Sequence, residues 1–411
     1  MPKTSDQTCS GPTCAKAVIG ANYGDEGKGR VTDALCATSS DPIVIRNNGG
    51  AQAGHSVTAP DGRRHVFSHF GSGAFVGAPT FLSKFFVVLP RVFVRERFEL
   101  HQLGETPSVN CDPGALITTP YDVAINRAIE EARGARRHGS VGVGFGETIE
   151  RAENGFALTA ADLADISKTR DILNAIASDW VPRRIRKLGL RPDDETLARL
   201  TSGSEIKAWR AEVATLLASV TIAPITDAIA GRTPVFEGAQ GLLLDMDRGH
   251  AFPHVTRSNT GLRNILHLAR EAAIDRLEVT YVTRAYLTRH GEGPLHHECA
   301  ALDFARVIDP TNQPNPWQGV LRFAPLDADF LKETIQADVG DGANSGLEVS
   351  ARLAITCLDQ LGAVAVIKFR DDSTRTVPRA VFCRSLGDLT GLPVGFESSA
   401  PGRRSTTSAA A

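Results

Sequence analysis

Short apolar runs alternate with amphipathic stretches along the chain. Ala17-Val18-Ile19 is an apolar run closed by Gly20, and a glycine-bearing loop, Ala21 to Gly27, follows it. Lys28 to Ala37 then predicts a helix with Val31, Ala34 and Leu35 on one face. Ile43-Val44-Ile45 predicts a second buried strand, running into Asn47-Asn48-Gly49-Gly50. Tyr121 to Arg137 has helical amphipathicity, and residues 160–220 are mainly helical with charged faces. Val235-Phe236, Leu277 to Val282 and Ala363 to Phe369 predict strands, whereas Thr260 to Arg270 and Glu348 to Leu361 predict helices. Ser258 or Asn259 is placed to cap the first of these two helices. This alternation predicts an α/β fold, a large mainly parallel central sheet flanked by helices, with ligands in the loops at the carboxyl ends of strands.

Composition narrows the function. The 411 residues are 42% hydrophobic, enough for a large core on one sheet. With 45 basic and 47 acidic residues the net charge is −2, which excludes a basic nucleic-acid surface. Cations for a phosphorylated ligand are therefore expected to be local. The cysteines at 9, 14, 36, 111, 299, 357 and 383 are scattered without a CxxC pair, which fits a reducing cytoplasm better than a structural zinc site. No signal-like segment precedes Cys14, and Phe81 to Val94 is too short and too broken by Lys84, Pro90 and Arg91 to span a bilayer. Residues 1–14 and 404–411 are expected to be flexible tails around a single catalytic domain, 15–403, with 160–220 as a helical insertion.

Three glycine loops carry the candidate chemistry. The first, Gly20-Ala21-Asn22-Tyr23-Gly24-Asp25-Glu26-Gly27-Lys28-Gly29, follows a strand and opens a helix, so its amides and the helix N-terminus suit phosphate. It is not a Walker A loop, because Gly29 stands where that motif has Ser or Thr. Asp25 repels phosphate unless it holds a metal or a proton. The second loop, Asn48 to Ser56, ends in His55, a general acid or a hydrogen-bond donor, or else a residue that only ties its loop. The third, Phe236-Glu237-Gly238-Ala239-Gln240-Gly241, offers Gln240 to read a base edge, and Thr256, Arg257 and Ser258 follow as phosphate-binding candidates.

At this point the chain resembles the adenylosuccinate synthetases. The resemblance rests on GDEGKG at Gly24 to Gly29, AGH at Ala53 to His55, RGARRHGS at Arg133 to Ser140, FEGAQG at Phe236 to Gly241, VTRSNT at Val255 to Thr260, TR followed by GPL at Thr288 to Leu295, and CLD at Cys357 to Asp359. It implies a P-loop-NTPase-related fold, a homodimer, and a ligase that phosphorylates the 6-oxo group of IMP with GTP before L-aspartate displaces phosphate. Residue by residue, it implies catalysis by Asp25 and His55 and an Mg²⁺ held by Asp25 and the Gly54 carbonyl. Phosphate and NTP fall to Gly24, Glu26, Gly27, Lys28, Gly29, Gly54, Ser56, Asp359 and Pro401. The purine nucleotide falls to Asn22, Asp25, Gln52, Ala53, Ser140, Val141, Arg151, Gln240 and Thr256, with Arg151 as the arginine that reaches the neighbouring subunit. Aspartate falls to Gln318, Gly319, Val320, Leu321 and Arg322. The partners are small molecules, with no nucleic acid and no membrane.

The departures from the family pattern are concentrated. The aspartate loop keeps a single arginine, Arg322; Cys357 replaces the Lys of Lys-Leu-Asp; Val141 replaces a Thr; and Ser398-Ser-Ala-Pro401 replaces Ser-Thr-Gly-Pro. The segments His69 to Gly73, Gly77 to Phe86, Gly142 to Arg151, Ser258 to Asn264 and Thr283 to Leu295 resemble the phage-type branch that makes the 2-aminoadenine precursor. That branch implies dGMP as substrate, N6-succino-2-amino-2′-deoxyadenylate as product, and a bacterial host cytoplasm. IMP with GTP is the alternative. A dGMP site needs an acceptor near C2, for which Asp25, Ser72 and Asn22 are candidates.

Overall fold

The computed structural model describes residues 14–134, 139–191, 196, 200, 202–249, 251–309, 319–400, 402 and 406–407. Its frame is a ten-stranded sheet of β1 (Cys14–Gly20), β2 (Pro42–Arg46), β3 (Thr80–Leu82), β4 (Val109–Cys111), β5 (Val220–Ile222), β6 (Thr233–Glu237), β7 (Arg276–Arg284), β8 (Glu348–Thr356), β9 (Val394–Ser398) and β10 (Thr406–Thr407). In space the order is β10-β9-β8-β7-β1-β6-β2-β3-β4-β5. Every neighbouring pair is parallel except β9 with β10. The expected mainly parallel sheet is therefore present. β1 is buried along its whole length, as a central strand covered on both faces must be. It pairs with β7 from Cys14↔Arg276 to Gly20↔Val282 and with β6 at Ala17↔Phe236. The carboxyl ends of β1, β2, β6, β7 and β8 thus open side by side, where such sheets bind ligands.

The helices that matter here are α1 (Lys28–Ala37), α2 (Pro90–Gln102), α3 (Pro120–Arg133), α4 (Phe145–Arg151), α5 (Ile166–Ala175), α6 (Val181–Leu188), α7 (Gly203–Leu217), α8 (Leu262–Glu271) and α9 (Ala328–Ala343). One apolar cluster joins β1, β7 and β8 to α8 and α9 through residues such as Ile19, Leu266, Tyr281, Leu331 and Leu353. A second gathers Phe86, Phe93, Trp180 and Trp209 under the α2 and α5–α7 helices.

Three expectations need correction. Glu348 to Leu361 is not a helix: Glu348–Thr356 is β8, paired in full with β7 from Arg276↔Glu348 to Arg284↔Thr356. Helix-forming Ala, Arg and Leu hide a period-two pattern, Val349-Ala351-Leu353-Ile355, that fits a sheet. The 363–369 strand exists as Val364–Lys368 but pairs with Leu326–Asp327 and Thr374–Pro378 in a separate small sheet. Neither Ser258 nor Asn259 caps α8. Its N-cap is Gly261, and the Leu262 N–H is taken by Asp338 Oδ1 of α9 at 3.1 Å. A side chain at Gly261 would collide with that carboxylate. Among the described residues no helix is long and apolar enough to cross a membrane. Cys14 is disulfide-bonded, a departure from the all-thiol expectation, while Cys36, Cys111, Cys299, Cys357 and Cys383 are free.

Candidate active site

The β1–α1 loop is shaped from within. Glu26 is buried and its Oε1 accepts the Asn22 N–H at 3.1 Å and the Gly24 N–H at 2.8 Å. Its Oε2 takes Lys28 Nζ at 2.6 Å. The loop is thus held around an internal anion before any ligand arrives. Gly27 is the N-cap of α1 at φ 90°, and no side chain caps the helix, so its first turn is left for an outside anion. Gly29 is required by packing, because a Cβ there would lie 2.9 Å from His55 Cβ and 2.9 Å from Ser72 Oγ. Asp25 sits at the crest with φ 61°, a left-handed conformation, and its carbonyl accepts Arg284 Nε at 2.5 Å. Burial raises the Asp25 carboxyl pKa, opposed by Arg284, His290 and Lys28. The side chain is still 28% exposed, so solvent in the cavity tempers that rise.

His55 is fixed by charge. Its Nδ1 lies 2.7 Å from Glu237 Oε1, at the end of β6, and Arg46 Nη1 lies 2.9 Å from Glu237 Oε2. The Ser72 N–H donates to Oε2 at 3.1 Å, and the Ser72 hydroxyl donates to Oε1. Glu237 and Arg46 are fully buried. Burial alone would raise the Glu237 carboxyl, but His55, Arg46 and Ser72 outweigh it and hold it well below the usual carboxylate range. His55 is displaced downward, chiefly by burial, against the pull of Glu237. In this pair Glu237 is the charged member and His55 the neutral one. Arg46 Nη1 also lies 3.0 Å from Nδ1, but the carboxylate is the better partner and assigns the proton to Nδ1. The Nε2 side is left for the cavity that His55 lines.

A cavity of about 450 Å³ joins these loops. It gathers Gly24, Asp25, Gly27, Lys28, Gly29, Gln52, Ala53, Gly54, His55, Ser56, Gln240 and Asp359, all expected from the sequence. The Gln52 amide is buried without a partner on either terminal atom, as is Gln240 Oε1. Both amides approach one spot, within 3.9 Å of where a Gly49 Cβ would stand. Unsatisfied buried amides side by side are costly and suit a ligand that presents paired donors and acceptors. No cluster of three or more His, Cys, Asp or Glu suited to a metal occurs among the described residues. Asp25 and Gly54 both face the cavity and offer hard oxygens. That fits Mg²⁺, which keeps most of its positions for phosphate and water.

Other expected residues lie elsewhere. Glu26 braces its loop, as described. Asn22 Nδ2 donates to Thr283 Oγ1 at 2.8 Å and Ser72 donates to Glu237, and neither residue lines the cavity where a purine 2-amino group would sit. Ser140 Oγ bonds Asn126 Oδ1 at 3.0 Å, and neither it nor Val141 reaches the cavity wall. Thr256 donates its N–H to the carbonyl of Leu244, a wall residue, at 2.9 Å and stands one layer behind. Arg151 is engaged within its own chain. It is fully buried, with Nε 2.8 Å from Asp122 Oδ1, Nη2 3.0 Å from Asp122 Oδ2, and further bonds to the Ile117 and Phe156 carbonyls. Its charge answers the α3 capping carboxylate rather than a substrate. Arg322 is bound to Glu298 and to the Gly291 and Gly293 carbonyls, and Gly319, Val320 and Leu321 do not line the cavity. Gln318 and Pro401 lie outside the described residues. The sequence reading missed Tyr23, Arg30, Arg64, Arg284, His290 and Gln360 as wall residues. Arg284 and His290 stand inside the quoted segment Thr283 to Leu295, but only pairing of β7 with β1 shows that they face Asp25.

The model of the adenylosuccinate synthetase family matches residues 17–312. An adenylosuccinate synthetase from Cyanothece sp. is 34% identical over 289 residues, 68% of this chain and 62% of its own length. One from Synechococcus sp. is 35% identical over 286 residues, 68% of this chain and 63% of its own. The chain therefore spans less than two thirds of the length of these curated relatives. The fully ligated adenylosuccinate synthetase of Plasmodium falciparum superposes with a TM-score of 0.73 at 16% identity, covering 96% of this chain and 100% of that one. The cyanophage S-2L succinoaminodeoxyadenylate synthetase, bound to dGMP and to dATP as an energy donor, gives 0.64 at 15%, covering 97% and 96%. At these identities the likeness to the two structures is one of fold.

Proposed function

The chain belongs to the adenylosuccinate synthetase family, and on that premise we propose that it joins L-aspartate to C6 of a 6-oxopurine nucleotide, with dGMP as the preferred substrate. The observation that carries the reading is the pairing, across one cavity, of Asp25 at the crest of the first loop with His55 held by Glu237 at the end of the second. Asp25 takes the N1 proton as O6 attacks the γ-phosphorus of the NTP and the NDP leaves. A carboxyl raised by burial is suited to that proton. The aspartate amine then adds at C6 and phosphate departs. His55 presents Nε2 to the transferring phosphoryl group. A neutral imidazole must gain a proton to donate there, and the incoming phosphate charge favours that change. The open first turn of α1, with Lys28 and Arg30 on the wall, stabilises the phosphates. Asp25 and the Gly54 carbonyl would hold Mg²⁺, which supplies charge neutralisation of the phosphates when bound. Asp359, an exposed residue of the cavity wall, serves the NTP base.

Preference for dGMP rests on the phage-type segments; the fold, shared with the cyanophage enzyme and with the Plasmodium falciparum synthetase alike, is compatible with either nucleotide. IMP with GTP is the second reading, favoured by 34% identity to a relative named adenylosuccinate synthetase. Assembly as a homodimer belongs to the same proposal, with an arginine other than Arg151 crossing the interface. The test is to incubate the protein with Mg²⁺, L-aspartate and both ATP and GTP, once with dGMP and once with IMP. Succinylated product is then read by mass. Product from dGMP alone supports the first reading, product from IMP alone the second, and product from neither sinks the ligase assignment.

A further inference from the structure

The loop after β7 carries a histidine that the reaction above does not use. His290 lines the cavity, its Nδ1 is 3.8 Å from Asp25 Oδ2, and its Nε2 is buried with no partner. The backbone that follows this residue is braced. Four successive carbonyls of its loop are each held by an arginine. Arg322 Nη1 donates to Gly291 at 3.0 Å and to Gly293 at 2.8 Å, while Arg289 donates to Glu292 from Nε at 3.1 Å and to Pro294 from Nη1 at 2.8 Å. Arg289 is itself buried, and its guanidinium lies 4.6 Å above the Tyr23 ring, which ties the loop to the one that bears Asp25. A ring on this braced loop with an unsatisfied nitrogen is a group waiting for a ligand atom.

We propose that His290 determines substrate choice by accepting a hydrogen bond from the exocyclic 2-amino group of a 2-amino-6-oxopurine nucleotide. The proposal rests on the ligase reading above and deepens it. The carboxylate beside Nδ1 is too far for a hydrogen bond but close enough to favour the tautomer with its proton on Nδ1. Nε2 is then a lone-pair acceptor. In the proposed chemistry Asp25 faces N1, whose ring neighbours are C6 and C2. The C6 side belongs to His55, which packs against Gly29 in the first turn of α1. The group that flanks Asp25 from the other loop therefore falls on the C2 side. Of the alternatives offered by the sequence, Asp25 is committed to N1 in this chemistry, Ser72 is bonded to Glu237, and neither Ser72 nor Asn22 lines the cavity. Hypoxanthine has only a C–H at C2 and would leave Nε2 unsatisfied. Arg322, in place of an aspartate-binding role, becomes part of the brace.

The experiment compares dGMP with dIMP, which differ only in the 2-amino group, using wild type, His290→Val and His290→Gln. The expected result is a wild-type kcat/KM that favours dGMP, and a His290→Val variant in which that ratio falls by about tenfold or more while dIMP turnover changes little. His290→Gln, which keeps an acceptor, should retain part of the preference. Retained dIMP turnover also shows that the variants fold. An equal fall on both substrates in a folded variant would overturn the proposal, and so would a wild type that does not prefer dGMP over dIMP. Wild-type protein that succinylates none of dGMP, dIMP and IMP would overturn the ligase reading itself, whereas product from IMP alone would overturn the dGMP reading and this proposal with it.

Discussion

The stretch matched by the family model ends at residue 312, yet β8 and β9 carry the same sheet on for two more parallel strands. The two regions furnish the cavity differently. From the first come Lys28, His55 and Asp25, on loops held by buried ion pairs, Glu26 with Lys28 and, separately, Glu237 with Arg46 and His55. From the second come the buried Thr356 at the end of β8 and, on the short turn after it, the half-buried Cys357 and Gln360 and the exposed Asp359. A buried ionic network tolerates little change, because removing one member strands the others. An exposed turn can exchange side chains at small cost. The proposed phosphoryl chemistry therefore sits where the fold constrains it, and the contact to the NTP base sits where it does not.

The largest test of that contrast is Asp25→Asn. It should lower aspartate-dependent phosphate release by about 10²–10⁴-fold, the usual scale of a lost acid–base group, with the thermal midpoint little changed. Release at the wild-type rate would refute the assigned mechanism. Glu237→Gln follows, at about 10- to 100-fold in kcat, with a shifted acid limb in the pH–rate profile because His55 loses its charged partner. An unchanged profile would reduce Glu237 to a packing role. Asp338 links the two regions, since it lies on α9, caps α8 and accepts from Tyr281 Oη at 2.8 Å. Burial lifts its carboxyl to about 6, against the pull of Arg248. A raised folded-state pKa means stability is greatest below the unfolded value and declines as pH rises through about 6, here by about 3 kcal/mol. Asp338→Asn should remove that slope from denaturant titrations between about pH 4 and 6.5. Smallest is Cys357→Lys, which restores the family residue and should move the GTP-to-ATP preference only several-fold, read as relative kcat/KM.

Much of this was legible because the signals are local. Glycines at fixed spacing after an apolar run announce a strand, a loop and a helix, and Asp25 stands out as an acid in an anion loop. The Glu237 clamp on His55 joins residues 182 positions apart, so no window of sequence contains it. His290 likewise meets Asp25 only because β7 lies beside β1. Arg151 shows the converse: the resemblance offered it as the arginine that crosses to a neighbouring subunit, and the fold places it instead on a buried carboxylate of its own chain, Asp122. The β8 misreading came from residue types that favour helix overriding an alternation that favours strand.

Glu26 also has a kinetic consequence. A loop already closed around its own carboxylate does not need to order itself when nucleotide arrives, so encounter rather than rearrangement should set the association rate. Mixing experiments should then show a single bimolecular phase that stays linear in nucleotide concentration, and Glu26→Gln should bend it into saturation as loop ordering becomes the slow step.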